Sequence, residues 1–248
     1  MKKTHIYIAA FMAFLGVIYA APSDATTAKN LLESKTKRSL EVVSFSPLES
    51  SNLFLLTIQD KTNGYKTLLI SDEKQQNLVV ASAFFSSNEA AMKRVQQELN
   101  AISSHNFKAQ NSAKLNELFA SIPTDYAITI TGANTKKLYI ISDPMCSHCQ
   151  EELAHIEERL KTHTIVIVPI GLLGQDSLYK AADIIRQIPS AKTPKDQIQT
   201  LRKIYARTYE PTNPPANDKA YSQVLRITNS IRESGLVEGV PFIYEPLR

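Results

Sequence analysis

The chain is short of the residues that mark several common protein classes. Only two of its 248 residues are cysteine, three positions apart, which excludes a fold stapled by several disulfides. Its seven glycines exclude collagen-like and low-complexity architecture. No basic run is interleaved with aromatic residues, and the formal net charge of +4 is mild and spread out, so nothing points to nucleic-acid binding. Serines are many, yet there is no G-x-S-x-G elbow and no Ser-His-Asp spacing. A second CxxC, or a close Cys-His pair to complete a four-ligand zinc site, is also missing. What remains is an ordinary globular composition, 43% hydrophobic and 21% charged, on a chain long enough for one large core or two small ones.

The N-terminus carries the clearest compositional signal. Lys2 and Lys3 precede the uncharged run 6–18 (IYIAAFMAFLGVI), and small residues follow in Tyr19-Ala20-Ala21-Pro22. This is the pattern of a secretory signal peptide over residues 1–20, with cleavage after Ala20. The run falls short of the roughly 20 residues a spanning helix needs, and no cysteine follows it for a lipid anchor. An uncleaved membrane anchor is the competing reading. No second hydrophobic run of spanning length occurs, so the exported chain is expected to be soluble.

Export changes how the two cysteines are read. A bridge across two intervening residues closes too small a loop to add much stability. In an oxidising compartment the pair Cys146 and Cys149 therefore points to redox chemistry rather than to stapling.

Along the chain, residues 22–39 are polar around Leu31-Leu32 and fit a short helix. Segments 41–48, 53–59, 65–71 and 78–85 are rich in β-branched and aromatic residues and are expected as a small antiparallel sheet of four strands. Asn63-Gly64, between two of them, predicts a type I′ hairpin. So small a core predicts a sheet whose exposed face or edge meets something else. Residues 88–123 are expected to form a helical linker: 89–100 and 111–121 have helical spacing, and ISSHNFKAQ between them predicts a break.

The domain from 124 onward alternates differently. Segments 126–130 and 137–142 are strands, the second nearly continuous in apolar residues, as for a strand covered on both faces. The Cys146-Ser147-His148-Cys149 motif follows, then a helix over 150–162, a strand at 164–171, a long helical region and a last strand after Val240-Pro241. This α/β order places the cysteines at a strand-to-helix junction.

A CxxC that opens a helix sets its first sulfur beside unpaired backbone N–H groups and the positive end of the helix dipole, which favour thiolate over thiol. Cys146 is then the exposed nucleophile and Cys149, one turn in, the resolving thiol. His148 lies between them, and support of the Cys146 thiolate by its ring would stabilise the reduced pair and make it more oxidising. Half of a zinc site and a purely structural disulfide are the competing readings. His155 reads as a solvated or partly packed side chain, and no cluster surrounds His105 or His163. Glu151, Glu152, Glu157 and Glu158 read as an exposed acidic helix face.

On these residues a resemblance can be drawn. LYIISDPMCSHCQEELAHIEERL resembles the strand–CxxC–helix unit of thioredoxin-fold proteins, and GVPFIYE is similar to their cis-proline segment, with a helical insertion between the two. The preceding sheet and helices resemble the N-terminal dimerisation domain of the DsbC/DsbG family of thiol:disulfide interchange proteins. Phrases such as NSAKLN and YIISDPMC-x-HC are similar to the dimeric members found in Helicobacter and its relatives. The resemblance implies a cystatin-like N-terminal dimerisation domain at 21–87, the helical linker at 88–123, and a thioredoxin-like catalytic domain with a helical insertion at 124–248. It also implies a cis Pro241, with Val240 and Pro241 as the platform on which a substrate strand pairs.

The departures from the family pattern matter. DsbC and DsbG usually carry Thr before that proline and Gly-Tyr or Pro-Tyr between the cysteines. Here Val240 and His148 look more like DsbA, while Ser147 replaces the proline of DsbA. The implied protein is a periplasmic oxidoreductase and homodimer without a resident cofactor. It introduces disulfides into unfolded or reduced exported proteins, can also isomerise wrong ones, and is reset by a membrane redox partner. A cysteine-independent periplasmic chaperone and a copper-binding module are the alternatives.

Overall fold

The computed structural model describes residues 24–246; the expected signal peptide lies outside them. Among the described residues no helix is long and apolar enough to cross a membrane. The chain divides into two compact units, Met1–Asn106 and Phe107–Arg248.

In the first unit a helix, α1 (Thr26–Thr36), is followed by four strands, β1 (Leu40–Pro47), β2 (Leu53–Asp60), β3 (Lys66–Asp72) and β4 (Leu78–Val80), and by the helix α2 (Glu89–Gln110). The strands form an antiparallel sheet in the order β1-β2-β3-β4. Side chains alternate between sheet faces, and each face finds its own cover. Leu56, Ile58 and Leu69 pack with Ala25 and Ala28 at and just before the start of α1, whereas Leu55 and Leu68 pack with Ala91, Val95 and Ile102 of α2. Cover on both sides explains why LFLLTI in β2 is continuously apolar. Both edge strands keep exposed apolar residues, Val43 on β1 at 44% and Val79 and Val80 on the short β4 at 64% and 62%.

Two local expectations fail here for identifiable reasons. Gly64 is left-handed at φ +75°, but Asn63 is not among the residues of positive φ, so the turn is not type I′. Asp60 Oδ1 accepts the Thr62 N–H at 2.8 Å, which turns the chain earlier, and the loop closes where the Asp60 N–H reaches Tyr65 O at 2.9 Å. Likewise ISSHNFKAQ does not break the helix. Its weak helix formers are used instead: Asn106 Oδ1 accepts the Lys66 N–H and Asn106 Nδ2 donates to Lys66 O, while His105 Nε2 lies 2.9 Å from Gly64 O.

In the second unit α3 (Ser112–Ser121) leads into β5 (Ile128–Ile130), β6 (Lys137–Ser142), α4 (Ser147–Ala154), α5 (Ile156–Leu160), β7 (Thr164–Pro169), α6 (Gln175–Gln187), α7 (Pro194–Tyr205), α8 (Lys219–Ser234) and β8 (Phe242–Tyr244). The sheet runs β5-β7-β6-β8, with β6 and β7 parallel and both edge strands antiparallel to their neighbours. One face (Ile141, Val168) packs with α3, α6 and α8 through Leu115, Phe119, Ala181 and Val224. The other (Ile140, Ile167) packs with α4, α5 and α7 through Leu153, Ile156, Leu201 and Tyr205. The unit boundary falls inside α2. The apolar residues of α2 thus serve the first unit's core and those of α3 the second's, within the segment 88–123.

The acidic helix face is only partly as expected. His155 interrupts the helix between α4 and α5, and Glu152 turns inward, its side chain 18% exposed and paired with Arg159.

Candidate active site

β6 is buried between two helical layers and delivers the chain directly to the cysteines. Its last pairings fix what lies opposite: Ile141 is aligned with Phe242 of β8, so the residues just before β8 come to the CxxC end of β6. Val240-Pro241 is a cis peptide, and Val240 O accepts the Cys146 thiol at 3.4 Å.

Cys146 occupies the N-cap position of α4, where the first backbone N–H groups of a helix have no internal partner. It is half-buried, whereas Cys149 is 1% exposed. The sulfur of Cys149 faces inward and accepts the Asp143 N–H at 3.4 Å. Burial pushes the Cys149 thiol up to about 12; the Asp143 N–H and the Ser142 hydroxyl pull in the opposite direction, and the adjacent Cys146 adds to the rise. The arrangement offers one thiol that a macromolecular disulfide can reach and a second, one turn behind it, that such a substrate cannot.

His148 is at the surface, its side chain 75% exposed, with Nδ1 3.1 Å from Glu151 Oε2. Its ring thus pairs with Glu151, while the Cys146 thiol is directed to Val240. Ser147 is exposed beside it. Of the other histidines, His163 Nε2 lies 3.3 Å from Glu245 and His105 belongs to the first unit. Among the described residues no group of three or more His, Cys, Asp or Glu converges as a metal-ligand set.

The support behind the motif was not legible as function. Asp143 is fully buried, and its carboxylate takes four donors. Oδ1 accepts the Met145 N–H at 2.8 Å and the Ser177 hydroxyl of α6; Oδ2 accepts the Leu172 and Leu173 N–H groups at 2.7 and 3.1 Å. A buried carboxylate is tolerable only with such saturation. It ties the CxxC turn to the loop after β7. The only signal in the sequence was an acidic residue closing an otherwise apolar strand three positions before a cysteine. For Ser142 and Tyr205, whose hydroxyls are bonded at 2.8 Å, no local signal exists.

A family model described as "Disulfide isomerase DsbG N-terminal" matches residues 28–115. Over 88% of this chain and 99% of the other, the sequence is 34% identical to Helicobacter pylori DsbG, with a TM-score of 0.53. The chain belongs to the DsbG family of thiol–disulfide oxidoreductases. Two further solved structures match this DsbG-family chain at lower identity. A periplasmic thioredoxin-like protein from Salmonella enterica serovar Typhimurium is 16% identical, covering 52% of this chain and 84% of that one at a TM-score of 0.42. The catalytic domain of Proteus mirabilis ScsC is 14% identical, covering 54% and 85% at 0.43. No curated protein sequence matches the chain.

Proposed function

We propose that this DsbG-family chain introduces disulfide bonds into exported proteins through Cys146 and Cys149, and that the same pair also acts on bonds formed wrongly. The observation that carries the reading is the unequal access of the two thiols: Cys146 is half-buried at the opening of α4 beside Val240 O, and Cys149 is sealed behind it.

In the oxidising direction a substrate thiolate attacks the Cys146 sulfur of the Cys146–Cys149 disulfide. That bond breaks, Cys149 leaves with the electron pair and takes up a proton, and a mixed disulfide remains on Cys146. A second substrate thiolate attacks the substrate sulfur of the mixed disulfide and expels Cys146. Two electrons pass from substrate to enzyme, and the substrate gains one disulfide. Isomerisation starts instead from reduced Cys146 attacking a wrong bond. Val240 and Pro241 form the platform where an extended substrate segment lies beside the sulfur. His148 and Ser147 form the solvent side of the motif, the His148 ring held by Glu151 beside the path along which a substrate reaches Cys146.

We place this activity in the periplasm, after removal of residues 1–20, with a membrane redox partner restoring the disulfide. A homodimer formed through residues 21–87 fits the exposed Val79 and Val80 on β4, with 124–248 as the catalytic part joined to it through 88–123. The test is refolding of reduced and of scrambled ribonuclease, together with insulin reduction, by the native chain and by Cys146→Ala. Loss of all three activities in Cys146→Ala is the expected result. Activity that survives it overturns the reading, and aggregation suppression without either cysteine would mark a chaperone instead.

A further inference from the structure

Behind Cys149 lies a polar feature that the exchange steps above do not use. Tyr205, the last residue of α7, is 3% exposed, and its hydroxyl donates to Ser142 Oγ at 2.8 Å. Ser142 is itself 4% exposed and ends β6. Because its oxygen accepts from Tyr205, the Ser142 hydroxyl hydrogen is free to turn elsewhere. Cys149, Ser142 and Tyr205 line one small cavity with Glu152 and four apolar residues, Ile140, Leu153, Ile156 and Ile167.

We propose that Tyr205 and Ser142 form a hydroxyl chain that stabilises the thiolate of Cys149, so that Tyr205, on the helical insertion, is a positioning residue for the resolving step. The proposal rests on the assignment of Cys146 and Cys149 as the redox pair. A buried thiol resists ionisation in apolar surroundings, and the resolving step needs its thiolate. In that step Cys149 gives its proton to solvent and its sulfur attacks Cys146. The bond between Cys146 and the substrate sulfur breaks, and the substrate leaves as thiolate with the electron pair. Two donors serve the sulfur as charge develops: the Asp143 N–H, held in place by its residue's own saturated carboxylate, and the Ser142 hydroxyl, oriented by Tyr205.

The ionisable groups facing Cys149 are few. Cys146 lies on its own helix side, Asp143 in the preceding turn and Tyr205 on α7. Glu152 borders the same cavity with its carboxylate engaged by Arg159. Burial pushes the Tyr205 phenol far above its ordinary range, so it acts as a neutral donor and not as a proton acceptor.

Tyr205→Phe keeps the ring and removes only the hydroxyl. One ordinary hydrogen bond is worth about fivefold in the thiolate equilibrium. About half of that, on a logarithmic scale, returns as the greater nucleophilicity of a more basic sulfur. Resolution at neutral pH should therefore slow about two- to threefold. The reduced chain is mixed with one equivalent of an aromatic disulfide reagent in stopped flow: the first release reports attack by Cys146, the second resolution by Cys149. In Tyr205→Phe the first phase should be unchanged and the second slowed. From neutral to mildly alkaline pH the second-phase rate should stay lower in Tyr205→Phe by the same factor, with Ser142→Ala, which removes the donor to the sulfur, slowing it at least as much and the pair of changes no more than Ser142→Ala alone. A second phase unmoved by Tyr205→Phe and Ser142→Ala, or effects of the two changes that simply add, overturn the hydroxyl chain while leaving the redox pair standing. Absence of the first phase in the native chain overturns both.

Discussion

Asp143→Asn removes the charge on which the CxxC turn is hung, with almost no change in volume. In the native site each carboxylate oxygen takes two donors, three of them peptide N–H groups that cannot turn away. An amide accepts at one oxygen only. The less costly orientation keeps that oxygen on the Leu172 and Leu173 N–H groups, because the Ser177 hydroxyl can rotate to accept from the new NH2. The Met145 N–H is then left facing a donor. Hydrogen bonds to a charged group contribute about 1.5–3 kcal/mol each, and a buried donor without a partner costs about 1–3 kcal/mol. Relief from burying a charge offsets part of this, leaving an expected loss of about 3–5 kcal/mol against a total stability of about 5–15 kcal/mol. The chain has no tryptophan, but it carries a better reporter: Cys149 is 1% exposed and reacts with an alkylating reagent only when its unit opens. In a Cys146→Ser background, pulse alkylation across a urea series gives the midpoint, and an unchanged slope converts it to free energy. A loss below about 1 kcal/mol would refute the assignment of those four donors to a single load on Asp143.

Two further outcomes follow from the same second unit. A Cβ at Gly132 would stand 1.9 Å from His163 O and 2.6 Å from Leu160 O, both backbone atoms, so Gly132→Ala should cost about 3 kcal/mol or more in the same alkylation assay; a neutral result would contradict the packing of β5's exit against β7. Asp183 is 2% exposed. Burial alone would raise its carboxyl, but the Thr212 N–H and Arg186 hold it below the ordinary aspartate range. A carboxylate so lowered stabilises the fold above its unfolded pKa of about 3.9, and that contribution is lost as pH falls through the folded value. The stability gap between the native chain and Asp183→Asn should therefore be constant from neutral pH down to about 5 and shrink below about 4; a gap that persists unchanged into strong acid, or widens there, would falsify the assignment.

How much of this was readable in advance depended on whether a residue's partners were near it in sequence. The spacing of Cys146 and Cys149 after an apolar strand was enough to locate the thiols, and the alternation in β2 and β3 to identify a sheet. Val240 and Pro241 were legible only through likeness to a family, since their place beside Cys146 comes from the β6–β8 register. The failures were local rules overridden by tertiary bonds. Asn63-Gly64 predicted a tighter turn than Asp60 permits, and the weak helix formers His105 and Asn106 stay helical because β3 and its turn bind their side chains. Residues 81–85 read as strand, but β4 ends at Val80. Glu152 reads as surface from its charge alone, because its partner Arg159 lies seven residues on, past the break at His155. Asp143, Ser142 and Tyr205 were missed as a group because the contacts that give them meaning span 29 to 63 residues.

The most direct test of the account is to trap its covalent intermediate. Reduced Cys149→Ala, incubated with scrambled ribonuclease and quenched in acid, should accumulate a mixed disulfide that mass spectrometry places at Cys146 and that a reductant releases. Cys146→Ala, with Cys149 sealed inside, should accumulate none. No adduct on Cys146, or an equal adduct on Cys149 in the Cys146→Ala chain, would contradict the claim that exchange enters through the outer thiol and is resolved by the inner one.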